Sequence, residues 1–136
     1  MGERDDREEI RDLLVRYARC LDLHDFAGAG ECFTEDAVAE FSGVVLEPGA
    51  SAIARHLEGL RRFRASTHLI SNVLIELHGA EAEVSSQAVV HLLLRDRIRV
   101  RGLFYEDRVI RGLSGWRIAE RHHRADWSIE LPLRPS

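Results

Sequence analysis

Apolar positions recur at helical spacing from residue 4 to residue 24. Ile10, Leu13, Leu14, Tyr17 and Leu21 make one stripe, with Arg and Asp on the opposite face, which predicts an amphipathic helix. Asp5, Asp6, Glu8 and Glu9 crowd its first turns, where the helix dipole favours negative charge. "HDFAGAGECFTED" predicts a second, short helix with Asp25 as N-cap, Phe26, Ala29 and Phe33 inward, and an end near Thr34. Its two glycines weaken it. "AVAEFSGVVLEPG" predicts a short strand, a turn and an irregular loop around Pro48. Ser51 is expected to cap a third helix through about Arg64, with Ile53, Leu57, Leu60 and Phe63 facing in.

After Ala65 the pattern changes to that of strands. Residues 67–77, 81–94, 98–111 and 115–129 are strand-like, separated by the turn signals "HGAE", "RDR" and "GLSG". Four long strands joined by short turns predict an antiparallel meander. Helices first and strands second give an α+β class rather than an alternating α/β one. A long curved sheet wrapped around three N-terminal helices makes a cone-shaped barrel with an open mouth. No linker or repeat divides residues 1–136, so one domain is expected, and the tail "LPLRPS" reads as frayed or paired with a neighbour.

Composition narrows the function. Hydrophobic residues make up 45% and charged residues 31% of the 136, enough for a core without metal or disulfide staples. A net charge of −4 offers no basic field for nucleic acid. Cys20 and Cys32, twelve apart in apolar helical segments, fit neither a disulfide framework nor a zinc spacing and read as buried thiols. No apolar run approaches the roughly 20 residues that span a bilayer. "MGERDDREEIRD" lacks the apolar core of a signal peptide, so a soluble, cytoplasmic protein without membrane association is expected.

Candidate chemistry lies where polar residues interrupt apolar strands. In "ASTHLISNVLIELH", alternation puts His68, Ile70, Asn72 and Leu74 on one face and Leu69, Ser71, Val73 and Ile75 on the other. Both faces are largely apolar, which predicts a strand covered on both sides and places His68 at the edge of a dry region. Such a histidine is either a satisfied core group or a proton carrier. His91 repeats the pattern in "AVVHLLL". Asp22, at the inward margin of the first helix, is either a solvated charge or the partner of an imidazole in acid–base work. Tyr17 is central in the same stripe. Tyr105 and Asp107 share a face and would line a pocket or bond each other; Asn72 and Trp127 are further candidates for its wall. His122 and His123 point to opposite faces of a regular strand, which excludes a chelating pair and makes surface positions the default. No carboxylate or cysteine stands at ligand spacing from the histidines, so no metal is expected. Arginines at 95, 97, 99 and 101 either grip an anionic group or keep a strand edge charged. There is no phosphate loop, nucleophile elbow or nucleotide fingerprint.

Taken in order, "YARCLDLHDFAGAGECFTEDAV", "GASAIARHL", "THLISN", "FYED" and "GWRIAERHHRADW" resemble the SnoaL-like proteins of the nuclear-transport-factor-2-like superfamily. The branch is similar to scytalone dehydratase and bile-acid 7α-dehydratase. The resemblance implies a deep apolar pocket and no cofactor. It also implies an acid–base pair in which Asp22 matches the helix aspartate and His68 the strand histidine. Tyr17 resembles a tyrosine of the bile-acid enzymes, and His91 falls near a second polar pocket position. Where the scytalone enzymes carry a tyrosine just before the aspartate, this chain has Leu21. The expected function is a dehydratase- or isomerase-type reaction on a hydrophobic polycyclic or polyketide-like molecule. Rival readings are a polyketide cyclase or epoxide hydrolase, a non-catalytic ligand-binding module, and the small subunit of a ring-hydroxylating oxygenase. Val and Leu on the outward strand faces predict a homodimer or small homo-oligomer packed through the sheet.

Overall fold

The structure is a computed structural model and describes residues 2–134. Helix α1 (Glu3–Asp22) opens with Glu3, Asp5 and Asp6 in its first turn and buries the expected stripe, with Ile10, Leu13, Leu14, Tyr17 and Leu21 nearly inaccessible. Each such side chain contributes about 1.5–3 kcal/mol of apolar burial. Helix α2 (Phe26–Gly30) is capped by Asp25, whose Oδ1 accepts from the Gly28 N–H at 2.9 Å. It stops four residues short of Thr34. Phe33 instead begins strand β1 (Phe33–Phe41) and sets its ring edge-on to Tyr17 at 5.7 Å. Strand β2 (Val44–Val45) is a short hairpin return. Helix α3 (Ala50–Leu57) follows, with Gly49 rather than Ser51 at its N-cap position and Ser51 inside the first turn, and runs on as a 3₁₀ turn to Arg62.

The four long strands are β3 (Ala65–His78), β4 (Glu81–Leu93), β5 (Arg97–Gly112) and β6 (Gly115–Pro132). They form the expected antiparallel meander. The sheet order is β2-β1-β6-β5-β4-β3, and β1 joins it by parallel pairing with β6, a crossover that no local pattern announces. Strand β6 continues to Pro132, and the Leu133 N–H donates to the Asp96 carbonyl. The last two residues of the segment expected to fray lie outside the described residues.

Helix α1 lies across the concave face, fastened at both ends. Near its start, Asp6 accepts from the Trp116 indole N–H at 2.9 Å and from Arg111, while Arg7 donates to the Ile75 carbonyl. Near its end, Asp22 meets β3. The even positions of β4, from Ala82 to Leu92, are buried against the helices. The odd positions face outward. The outer face is not covered by any of the described residues: Leu69 is 54% exposed and Leu74 72%. The apolarity of both faces of β3 and β4 therefore reflects an open outer surface, not burial on two sides. On that surface Trp127 lies flat on Gly102, where any Cβ would collide with the indole.

Three irregularities within the meander shift its alternation. Asn72 takes a left-handed φ of 50° at a break in the β3–β4 register. Breaks between Arg108 and Val109 and between Gly102 and Leu103 leave Ala119 and Asp126 of β6 without a partner in β5. Each extra residue flips the side chains beyond it to the other face.

Candidate functional site

Asp22 is the last residue of α1, where the helix dipole disfavours a carboxylate. Three donors from β3 offset that cost. The Ser66 hydroxyl donates to Oδ1 at 2.9 Å, the His68 backbone N–H to Oδ2 at 2.9 Å, and the His68 ring lies 2.7 Å from Oδ1 through Nδ1. Burial alone would raise the Asp22 pKa, but these hydrogen bonds outweigh it and hold the carboxyl below its ordinary value. The group is ionised at neutral pH and can only accept. The proton of a neutral His68 ring therefore sits on Nδ1, and Nε2 keeps its lone pair. The His68 side chain is 5% exposed and forms part of a cavity wall.

The cavity measures about 240 Å³ and lies between α1, the α3 segment and the concave face of β4, β5 and β6. Tyr17 and Leu21 come from α1, Leu57 and Leu60 from the α3 segment, and Val90, Leu92 and Leu103 from the sheet. Tyr105 lines it as expected. Burial is the main reason both phenols resist ionisation: Tyr17 is pushed up to about 12, and Tyr105 is raised as well. They stay protonated and can donate. A larger depression of about 520 Å³, at Leu74, Glu83, Glu106 and His122, belongs to the outer surface and is separated from the dyad by the sheet.

Other expected members are elsewhere. His91 pairs in register with Thr67 and Val100, so it faces the outer surface, and Val90 takes the inward position beside His68. Asn72 is exposed and donates to Gln87 on the outer face, because the irregularity at its own position breaks the alternation that placed it beside His68. Trp127 faces outward because Asp126 shifts the phase of β6. Asp107 points inward but beneath the cavity floor. Both its oxygens accept from Arg121, at 2.8 Å each, and neither side chain is more than 1% exposed. The Arg121 guanidinium lies over the rings of Tyr105 and Tyr17, at 4.1 and 4.6 Å, and its Nη1 has no hydrogen-bond partner among the described residues.

Two imidazoles that the sequence did not single out for the pocket reach it. His123 is buried on the concave face, 5.0 Å from the Phe41 ring, with Nδ1 3.3 Å from the Ser42 hydroxyl. Burial, reinforced by the charges of Arg121 and Arg101, drives its pKa down to about 4. The His56 ring also lies against Phe41, at 4.9 Å, and lines the cavity. The extra residue Ala119 is what turns Arg121 and His123 inward; regular alternation from Ile118 would have turned Glu120 and His122 in. The exposed position of His122 is as expected. Among the described residues, one group of possible metal ligands gathers at all, Glu76, His78 and Glu83, and it is exposed and far from this cavity. No helix among them is long and apolar enough to cross a membrane.

A model of the SnoaL-like domain matches residues 2–122. The uncharacterized protein Rv2910c of Mycobacterium tuberculosis is 28% identical over 126 residues, covering 89% of this chain and 86% of its own length. Among solved structures, Rv3472, a function-unknown protein of the same organism, is 31% identical, with a TM-score of 0.84 over 91% of this chain and 78% of that one. A Novosphingobium aromaticivorans protein provisionally named a scytalone dehydratase superposes with a TM-score of 0.85 at 22% identity, covering 96% and 90%. These agree with the resemblance read from the motifs: the chain belongs to the SnoaL-like family, on the nuclear-transport-factor-2-like fold.

Proposed function

We propose that this protein is a cofactor-independent acid–base enzyme, of dehydratase or isomerase type, acting on a hydrophobic small molecule held in the cavity. The observation that carries the reading is the 2.7 Å contact between Asp22 and His68 Nδ1, which leaves Nε2 without a hydrogen-bond partner among the described residues in a side chain that lines the cavity. In this reading Nε2 removes a proton from carbon next to a carbonyl. The C–H electron pair moves toward the carbonyl oxygen, and Asp22 stabilises the imidazolium that forms. Tyr17 or Tyr105 donates to the developing oxyanion. The imidazolium then returns its proton to a departing β-hydroxyl, which leaves as water, or to another carbon, which completes an isomerisation. His91 has no part in this scheme. A pocket that only held a ligand would not need an aspartate fixed at the unfavourable end of a helix. Fold neighbours include a hexachlorocyclohexane dehydrochlorinase, so the fold is compatible with elimination chemistry. The reading includes a cytoplasmic setting, where Cys20 and Cys32 stay reduced, and a homodimer packed through the outer sheet face.

The test needs no native substrate. 1-Tetralone in D₂O, followed by NMR, reports removal of a proton next to a carbonyl. The wild-type chain is expected to accelerate exchange, and His68→Ala and Asp22→Asn each to lower the rate by about 10²–10⁴. The double variant should be little worse than either, since the pair acts as a unit. Wild-type exchange rates in folded His68→Ala would sink the reading.

A further inference from the structure

The cavity wall holds a charged group without a counterion. We propose that Arg101 anchors a single anionic oxygen group, a carboxylate in the first instance, on the molecule that occupies the cavity. This rests on the cavity being the substrate site and names the class of its substrate, a small apolar acid of one or two rings.

The register places the group. His68 pairs with Val90, and Val90 with Arg101, so the three form one inward-facing row across β3, β4 and β5. Two strand spacings separate the first and last backbones, about 10 Å. Arg101, Val90 and His68 all line the cavity, so a ligand there meets the guanidinium and the imidazole from opposite ends of this row.

Charge supplies the second observation. None of the residues lining the cavity is Asp or Glu. The carboxylate nearest the imidazole, Asp22, is committed to Ser66 and His68, and Asp107 is held by Arg121. Within the basic hairpin, Arg97 and Arg99 share Glu130, at 3.1 and 2.7 Å. Arg101, which lines the cavity, has no such partner among the described residues. It also borders the groove outside the mouth, where Glu40 and Glu106 stand, yet neither pairs with it. Partial burial and the neighbouring charges of Arg99 and Arg62 lower the guanidinium pKa, the signature of a cation that is not compensated. An unpaired guanidinium in a half-dry site is costly, and a bound anion removes that cost. The planar fork suits a carboxylate, which it can hold through two parallel hydrogen bonds. Ser42 and neutral His123 stand in the same wall as further hydrogen-bonding groups.

Isothermal titration at pH 8 with 2-naphthoate and with 2-naphthalenemethanol compares one skeleton with and without the charge. Wild-type protein is expected to prefer the acid by about tenfold, as charge-assisted bonds do. Arg101→Gln should lose that preference, and Arg101→Lys should keep part of it. His68→Ala should keep all of it, because the anchor does not depend on the dyad. Equal affinity for the two probes, no binding of the acid, or a preference that survives in Arg101→Gln overturns the proposal. Loss of tetralone exchange with this preference intact would count against the acid–base reading alone.

Discussion

Replacing Asp107 by Asn asks whether this carboxylate serves the fold or the cavity. It removes the one counterion that Arg121 has among the described residues, while keeping shape. Both side chains are fully enclosed, at 0% and 1% exposure, and joined by two 2.8 Å bonds. Breaking a buried pair by deleting one partner costs about 3–5 kcal/mol, because the remaining charge stays desolvated. Tyr105 and Tyr17 offer the guanidinium their ring faces, but cation–π contacts of about 0.5–2 kcal/mol cannot replace an ion pair. The unfolding entropy of a chain of 136 residues is about 0.29 kcal/mol/K, so the loss corresponds to a melting temperature lower by about 10–17 °C. Calorimetry reads this directly. The pair Asp107→Leu with Arg121→Met removes both charges and should recover most of the lost stability. A melting point within about 2 °C of wild type for Asp107→Asn, together with lost tetralone exchange, would refute the structural assignment and return Asp107 to the catalytic cavity.

His123 makes stability depend on pH. Its folded pKa, about 4, lies below the unfolded value near 6.5, so the unfolded chain binds the proton first as pH falls. Stability is therefore full above about pH 6.5 and drains toward pH 4, by at most about 3 kcal/mol, with His56 adding a smaller slope of the same sign. Urea unfolding at pH 7.5 and 4.5 should show most of this loss vanish in His123→Phe; an unchanged difference would mean another group is responsible. Self-association through the outer face should weaken in Trp127→Glu, and light scattering that finds a wild-type monomer at micromolar concentration would end that proposal. Gly102→Val should displace the Trp127 indole and disturb association while leaving 1-tetralone exchange intact, and a loss of both would show that the two faces are coupled.

The elements were legible because their signals are local. A 3.6-residue stripe wrote α1, and four alternating runs with turn residues between them wrote the meander. The juxtaposition of Asp22 and His68, from elements 46 residues apart, was not legible from periodicity; the motif resemblance suggested it. Three single residues defeated the alternation rule. Asn72, Ala119 and Asp126 each shift phase, and with them went the placements of Asn72 itself, His123 and Trp127. His91 failed for a different reason. An outer sheet face rich in Val and Leu looks in sequence like an inner one, since both remove apolar side chains only once a partner or a core is present.

Gly102 has an optical consequence. The chain carries two tryptophans, and the sheet has sorted them into opposite environments. Trp116 is 3% exposed, its indole fixed to Asp6 where α1 meets the β5–β6 end. Trp127 is 49% exposed on the bare backbone of Gly102. Acrylamide should quench the second and spare the first, giving one blue-shifted and one red-shifted emission component. The protein thus contains two native fluorophores: one reports whether α1 is seated on the sheet, the other whether the outer surface is covered.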